Sequence, residues 1–235
     1  MIDDTTLVIN ETYKSMQGES TFAGLPCVFV RLTACDLRCS YCDSAHAFTE
    51  GTKMSLADVL DRVLKFDCPL IEITGGEPLL QPGVLPLMTQ LCDAGKTVLL
   101  ETSGAHDIGK VDARVHRIMD LKCPSSGESS RNRYENIGEL RSTDEVKFVI
   151  GTREDYDWAK EQLGCHRLTD RCTVLFSWVQ PLAPQQQDKA LKSVPAGQHP
   201  ISQRELVEAM LSDQLSVRFQ LQMHKYIWPA DARGV

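Results

Sequence analysis

The chain has 235 residues, 42% hydrophobic and 24% charged, with a formal net charge of -7. That is enough for a substantial core in one large domain or two small ones, and the acidic balance argues against nucleic acid or an anionic membrane as the main partner. No apolar run approaches the ~20 residues of a membrane helix, and the opening Met1-Ile2-Asp3-Asp4 lacks the basic start of a signal peptide.

In chain order, residues 10–20 are polar and read, taken alone, as an N-terminal loop. Short β-branched or apolar runs predict strands at 27–32, 70–74, 97–101, 115–121, 145–150, 173–179 and 216–221. Helices are signalled between several of them. Ser55 to Asp58 resembles a capping box with Asp in the Glu position, and Leu56, Val59, Leu60, Val63 and Leu64 mark one face behind it. Pro82 suits a first turn and Gly95 a C-terminal cap, with Leu85, Met88 and Leu91 between. Thr152 and Asp155 open a helix that Gly164 closes, and Ser202 with Glu205 caps another before Leu206, Met210 and Leu211. Strands alternating with helices predict an α/β fold with a mainly parallel sheet. Residues 124–136 and 181–199 read as long loops of the kind that serve as lids.

Parallel α/β folds carry their chemistry at the carboxyl ends of the strands, and the polar motifs here follow predicted strands. After 27–32 comes Cys35-x3-Cys39-x2-Cys42, three thiols in eight residues. Thiolates suit zinc or iron–sulfur chemistry. A structural zinc needs four protein ligands, which His46 would have to complete. Three cysteines with no paired fourth fit a cubane cluster that leaves one iron open; three unrelated buried thiols are the plain alternative. The other six cysteines (Cys27, Cys68, Cys92, Cys123, Cys165, Cys172) are scattered. An odd total of nine reads as core thiols in a reducing, cytoplasmic setting. After 70–74 comes Gly75-Gly76-Glu77-Pro78, either a tight turn or a backbone that approaches a ligand free of Cβ obstruction. Glu101-Thr102-Ser103, Lys122-Cys123-Pro124 and Gln180-Pro181 follow later strands. Arg131 and Arg133 read as solvated charges, and His106, His116, His166 and His199 as surface or core residues.

The cysteine spacing, with Tyr41 just before the third cysteine and Gly-Gly-Glu downstream, resembles the signature of the radical S-adenosylmethionine (SAM) enzymes. A closer resemblance, to the 7-carboxy-7-deazaguanine synthase family, rests on five stretches. They are Met16-Gln17-Gly18-Glu19, Gly24-x-Pro26, Phe29 to Leu32, Cys42-Asp43-Ser44 with His46, and Arg218 to Lys225.

The resemblance implies a single domain over residues 1–235, an incomplete TIM-like (β/α) barrel of about six parallel strands. Its cluster loop would be 33–47 and its substrate-side segment 216–235. It implies a [4Fe–4S] cluster on Cys35, Cys39 and Cys42, with SAM on the open iron and Mg²⁺ as a further cofactor. One electron from the cluster breaks a carbon–sulfur bond of SAM and starts hydrogen abstraction from the substrate. SAM contacts are implied for Tyr41, Asp43, Gly76, Glu77, Lys122, Gln180 and Pro181. The substrate, 6-carboxy-5,6,7,8-tetrahydropterin, would meet Met16, Gln17, Gly18, Glu19, Arg31, Thr74, His224 and Pro229. The product is 7-carboxy-7-deazaguanine, on the route to queuosine. An electron donor such as flavodoxin or ferredoxin and a homodimeric state complete the expectation.

Two positions depart from the family pattern. Ser44 replaces the Thr whose hydroxyl binds Mg²⁺, keeping the oxygen, and Ser20 replaces a usual Gly. The rival readings are an activase that installs a glycyl radical on a partner protein and a zinc-stabilised binding module.

Overall fold

The computed structural model describes residues 6–229 and 232–235. The opening Met1 to Asp4 lies outside the described residues, as do Ala230 and Asp231 of the tail. Among the described residues nine strands form one sheet: β1 Thr6–Met16, β2 Pro26–Leu32, β3 Thr52–Ser55, β4 Leu70–Gly75, β5 Thr97–Thr102, β6 His116–Asp120, β7 Glu145–Ile150, β8 Thr173–Trp178 and β9 Arg218–Gln220. Their order is β3-β1-β2-β4-β5-β6-β7-β8-β9. Every neighbour from β2 onward pairs in parallel, while β1 runs antiparallel to β2 and to β3. The sheet is open, with β3 and β9 at its edges. The parallel order is what the alternation predicted, and the open sheet of six full parallel strands and the three-residue β9 fits the partial barrel that the resemblance implied.

Four longer helices cover one face: α1 Leu56–Leu64, α2 Val84–Asp93, α3 Arg153–His166 and α4 Gln203–Ser212; the short α5, His224–Ile227, lies near the C-terminus. The caps are local. Ser55 accepts from the Asp58 amide, and Thr152–Asp155 and Ser202–Glu205 form complete capping boxes. Gly95 takes the left-handed conformation just past α2. Helix α3 runs two residues beyond the predicted stop at Gly164, because Arg167 adopts the left-handed turn that ends it.

Residues 10–20 are not simply a loop, since eleven residues from Thr6 to Met16 form β1. Leu7 and Ile9 join the core, and a register shift between Ile9 and Glu11 turns Glu11 and Tyr13, of the same parity, into the cavity inside the barrel. The same division runs across the sheet. In β4, Ile71 and Ile73 pack with Val59, Val63, Leu87 and Leu91 of α1 and α2, whereas Glu72 and Thr74 line the cavity. In β7, Val146, Phe148 and Ile150 pack with Tyr156, Ala159 and Leu206 of α3 and α4, and Lys147 and Val149 line the cavity. In these two strands period-2 alternation buries apolar side chains under the helices and turns mostly polar ones inward, where Cys27, Phe29, Leu70, Leu99 and Ile118 form a smaller apolar cluster.

Candidate active site

The cysteine loop leaves β2 through Ala34, held at φ +79°. Contacts from two sides fix it. The Gly76 and Glu77 amides donate to the carbonyls of Leu32 (3.0 Å) and Ala34 (2.7 Å). The Gln81 side-chain amide donates to the Thr33 carbonyl at 2.8 Å. From the far side, the Ser40 amide and hydroxyl donate to the Ser126 and Ser125 carbonyls at 3.0 and 2.7 Å, and the Arg38 amide to Glu128 at 2.7 Å. Residues 124–136, expected as a lid, instead fold into short 3₁₀ turns that buttress the cysteine loop. Arg131 is exposed, as expected, and also pairs with Asp36 of that loop at 2.6 Å.

The two glycines of the strand end do more for the chain than for a ligand. A Cβ on Gly75 (φ +137°) would lie 2.3 Å from the Leu32 carbonyl oxygen, and one on Gly76 2.0 Å from that of Ala34. Only glycine lets β4 end against the root of the cysteine loop. Gly76 also lines the cavity.

Cys35, Cys39 and Cys42 line the wall of one cavity of about 270 Å³. All nine cysteines are free thiols. Among the described residues, no three His, Cys, Asp or Glu side chains converge around a single ion. A cubane takes its three protein ligands on three different irons, and the three thiols line one cavity together as that requires. His46, the fourth ligand a zinc would need, instead faces Glu11 at 3.8 Å. Burial pushes all three thiols up, Cys42 to about 12 with help from the neighbouring Asp43 carboxylate. Iron would supply the positive charge that three buried thiolates require.

Beside the cysteines, the buried Tyr41 hydroxyl and one oxygen of Asp120 have no hydrogen-bond partner among the described residues, the mark of a wall built for a polar ligand. Lys122 meets the other Asp120 oxygen at 2.7 Å. Asp43 receives the Ser44 hydroxyl at 2.9 Å and the Lys225 ammonium at 2.6 Å. Burial alone would raise the Asp43 carboxyl, but Lys225 holds it well below the usual carboxylate range.

The opposite end is a network of charges. Arg31 donates to Glu11 at 2.7 Å and to the Tyr13 hydroxyl at 3.0 Å. Lys147 pairs with Glu19 at 2.9 Å and with Glu101, which accepts the Thr74 hydroxyl at 3.2 Å. The Gln17 amide donates to Glu72 and accepts the Glu19 amide hydrogen at 2.9 Å, while Gln222 donates to Glu19 at 3.0 Å. The Met223 amide donates to the Gly18 carbonyl at 3.0 Å. A Cβ on Gly18 would strike the His224 ring, 2.6 Å away, so glycine lets the C-terminal segment close on this loop.

Of the residues anticipated from the sequence, the cavity gathers the three cysteines, Tyr41, Asp43, Ser44, Gly76, Lys122, Met16 to Glu19, Arg31, Thr74, His224 and Pro229. Glu77, Gln180 and Pro181 are not among its lining. Glu77 is wholly buried and ties the Gly-Gly turn to β5, accepting from the Ser103 amide at 2.7 Å and the Thr102 hydroxyl at 2.9 Å. Val179 and Gln186 line the cavity where Gln180 and Pro181 were expected. The sequence reading missed Glu11, Tyr13, Glu72, Asp120, Lys147, Gln222 and Lys225, and left Glu101 open. A usable signal existed in the charges set inside apolar runs, Ile71-Glu72-Ile73 and Val146-Lys147-Phe148, which a strand buried on both faces would exclude.

Comparison with known proteins agrees with these features. The model of the radical SAM superfamily matches residues 30–124. A 7-carboxy-7-deazaguanine synthase from Chlorobaculum tepidum is 43% identical over 100% of both chains. One from Koribacter versatilis is 44% identical over 97% of this chain and 99% of its own. The crystal structure of QueE from Escherichia coli shares the fold, with a TM-score of 0.69 at 21% identity, covering 93% of this chain and 95% of that one. From its cysteine loop to its closing Arg218–Lys225 segment, the chain belongs to the 7-carboxy-7-deazaguanine synthase family of radical SAM enzymes.

Proposed function

We infer that this single-domain protein is a radical SAM lyase converting 6-carboxy-5,6,7,8-tetrahydropterin to 7-carboxy-7-deazaguanine, by ring contraction with loss of ammonia. The observation that carries the reading is one cavity with two chemically different ends: three thiols beside the Gly76 strand end, and a charged end built on Gln17, Glu19, Arg31 and Lys147. When bound, the cluster and SAM supply one-electron bond cleavage and hydrogen abstraction.

The chain's own residues bind and orient. Cys35, Cys39 and Cys42 hold the cluster, with Gly76, Tyr41, Asp43 and Lys122 along the SAM side of the cavity. Arg31, prepositioned by Glu11 and Tyr13, offers a planar guanidinium to the substrate carboxylate. Gln17, Gly18, Glu19, Met16 and Thr74 flank the ring system, and His224 and Pro229 close the C-terminal side. Ser44 supplies a hard oxygen for Mg²⁺, which retains several waters. Gln180 and Pro181 follow β8 outside the cavity lining, and a SAM role for them would require that segment to move inward. A cytoplasmic homodimer served by a flavodoxin- or ferredoxin-type donor completes the proposal.

Anaerobic reconstitution with iron and sulfide tests it, followed by incubation with SAM, Mg²⁺, a reductant and the carboxy-tetrahydropterin. The expected result is a brown protein with about four irons per chain and a product with the mass of 7-carboxy-7-deazaguanine. Zinc in place of iron, or unchanged pterin alongside SAM cleavage, would overturn the reading.

A further inference from the structure

Three carboxylates meet at the charged end of the cavity, Glu72 buried and Glu19 and Glu101 half-buried, and the Lys147 ammonium pairs with the latter two. Glu72 on β4 is 4% exposed. Tyr13 from β1, Cys27 from β2, Glu101 from β5, Lys147 from β7, and Gln17 with Glu19 from the β1–β2 loop surround it. The ion pairs of Lys147 go to Glu19 and Glu101. The hydrogen-bond partner of Glu72 is the neutral Gln17 amide, itself 2% exposed. Among the described residues no cation forms an ion pair with Glu72, and the nearby Lys147 is engaged by Glu19 and Glu101; a buried carboxylate facing two others is then far costlier than a neutral acid.

We propose that Glu72 is a positioning residue for the pterin end of the site, acting as a neutral carboxylic acid whose carbonyl anchors Gln17. The Gln17 amide is then fixed at both ends: its nitrogen donates to Glu72, and its oxygen accepts the Glu19 amide hydrogen at 2.9 Å. The loop that places Gly18 and Glu19 against His224 and Gln222 is thereby set before substrate arrives. Burial first, then the Glu101 and Glu19 carboxylates, push the Glu72 carboxyl well above its ordinary range, in keeping with this geometry. The inference rests on the pterin reading above for its consequence, but the protonation state it assigns does not.

The test uses two variants, E72Q and E72L, in the reconstituted enzyme. A neutral amide keeps the acceptor for Gln17, so E72Q should raise the pterin KM about twofold, against about tenfold for E72L, with kcat changed less than KM in both. Equal losses in the two variants, or none in E72L, would overturn the proposal. A second measurement needs no substrate. If Glu72 stays protonated in the fold, the folded state holds a proton that the unfolded chain releases above about 4.5. Wild-type thermal stability relative to E72Q should then fall as pH rises from about 5 to 8; a constant difference would overturn the assignment. A protein that shows this slope yet binds no pterin would refute the proposed reaction and leave the neutral acid standing.

Discussion

Gly76→Ala is the sharpest test of how the cluster loop is built. A methyl at this position would sit 2.0 Å from the Ala34 carbonyl oxygen, 2.5 Å from its carbon and 3.0 Å from the Cys35 Cβ. Real Cβ contacts essentially never fall under 3.0 Å, so the two backbones must separate by about 1 Å (3.0 less 2.0). That stretches the Gly76–Leu32 and Glu77–Ala34 hydrogen bonds, now 3.0 and 2.7 Å, beyond useful length. Each is worth about 1 kcal/mol net, so the loss is about 2 kcal/mol before any strain is counted. It falls on the residue before Cys35. Removing backbone freedom by Gly→Ala ordinarily stabilises by about 0.4–1 kcal/mol where the conformation tolerates it, so the clash decides the sign. Gly164 in α3 is the control: a Cβ there meets nothing within 4 Å, and Gly164→Ala should stabilise by about 0.5–1 kcal/mol. Urea unfolding and iron content after anaerobic reconstitution would be measured on both. The expected result for Gly76→Ala is a folded but less stable protein with markedly reduced iron. Wild-type stability and iron content would refute the argument that these glycines exist for contact between chain segments.

Cys39→Ala should lose the cluster and SAM cleavage while far-UV circular dichroism stays native, because Cys39 belongs to none of the apolar core clusters and the two larger ones lie on the helix side of the sheet; retained iron would count against the assigned ligand. Arg117 and Asp144 are both 1% exposed and directly paired, with Arg117 also donating to the Ile108 carbonyl at 3.1 Å. Arg117→Ala should therefore cost about 3–5 kcal/mol in denaturant unfolding by stranding Asp144, and a loss under about 1 kcal/mol would contradict the pairing. Burial would raise the Glu19 carboxyl, but Lys147, His224 and Gln222 bring it down to about 2. Its contribution is thus present above the ordinary 4.5 and lost as pH falls toward about 2. Lys147→Met should flatten that acid limb in pH-dependent melting, and an unchanged limb would remove Lys147 as the cause.

Parts of this architecture were legible because they rest on local chemistry. Thr152 with Asp155, Ser202 with Glu205 and Gly95 are read from adjacent residues, and each took its predicted place. The three-cysteine spacing is equally local, and the cavity gathers all three. What escaped depends on which face of a strand looks inward. Strand β1 opens on the short apolar run Leu7-Val8-Ile9 but continues through Asn10, Glu11, Thr12, Lys14 and Ser15, which carry no strand signal of their own; they are strand because β2 pairs along them from Glu11 to Met16. Residues 124–136 have the composition of a mobile loop, yet Ser125, Ser126 and Glu128 are buried because the cysteine loop needs partners for its amides.

The interior charges make the wider physical point. Register sets Arg31 beside Thr74 and Asp120 beside Lys147 on neighbouring parallel strands. Such pairing is invisible along the chain, since the partners come from different segments. The charge count nevertheless constrains it. Against Lys147 stand Glu19, Glu72 and Glu101, so one carboxyl must find a neutral partner or an incoming donor. Gln17 takes that part, which gives the Gln-Gly-Glu stretch a structural reason beside its proposed contact with substrate. The same side chains that would recognise a polar ring therefore hold one another in place before it binds, which lowers the ordering cost of recognition.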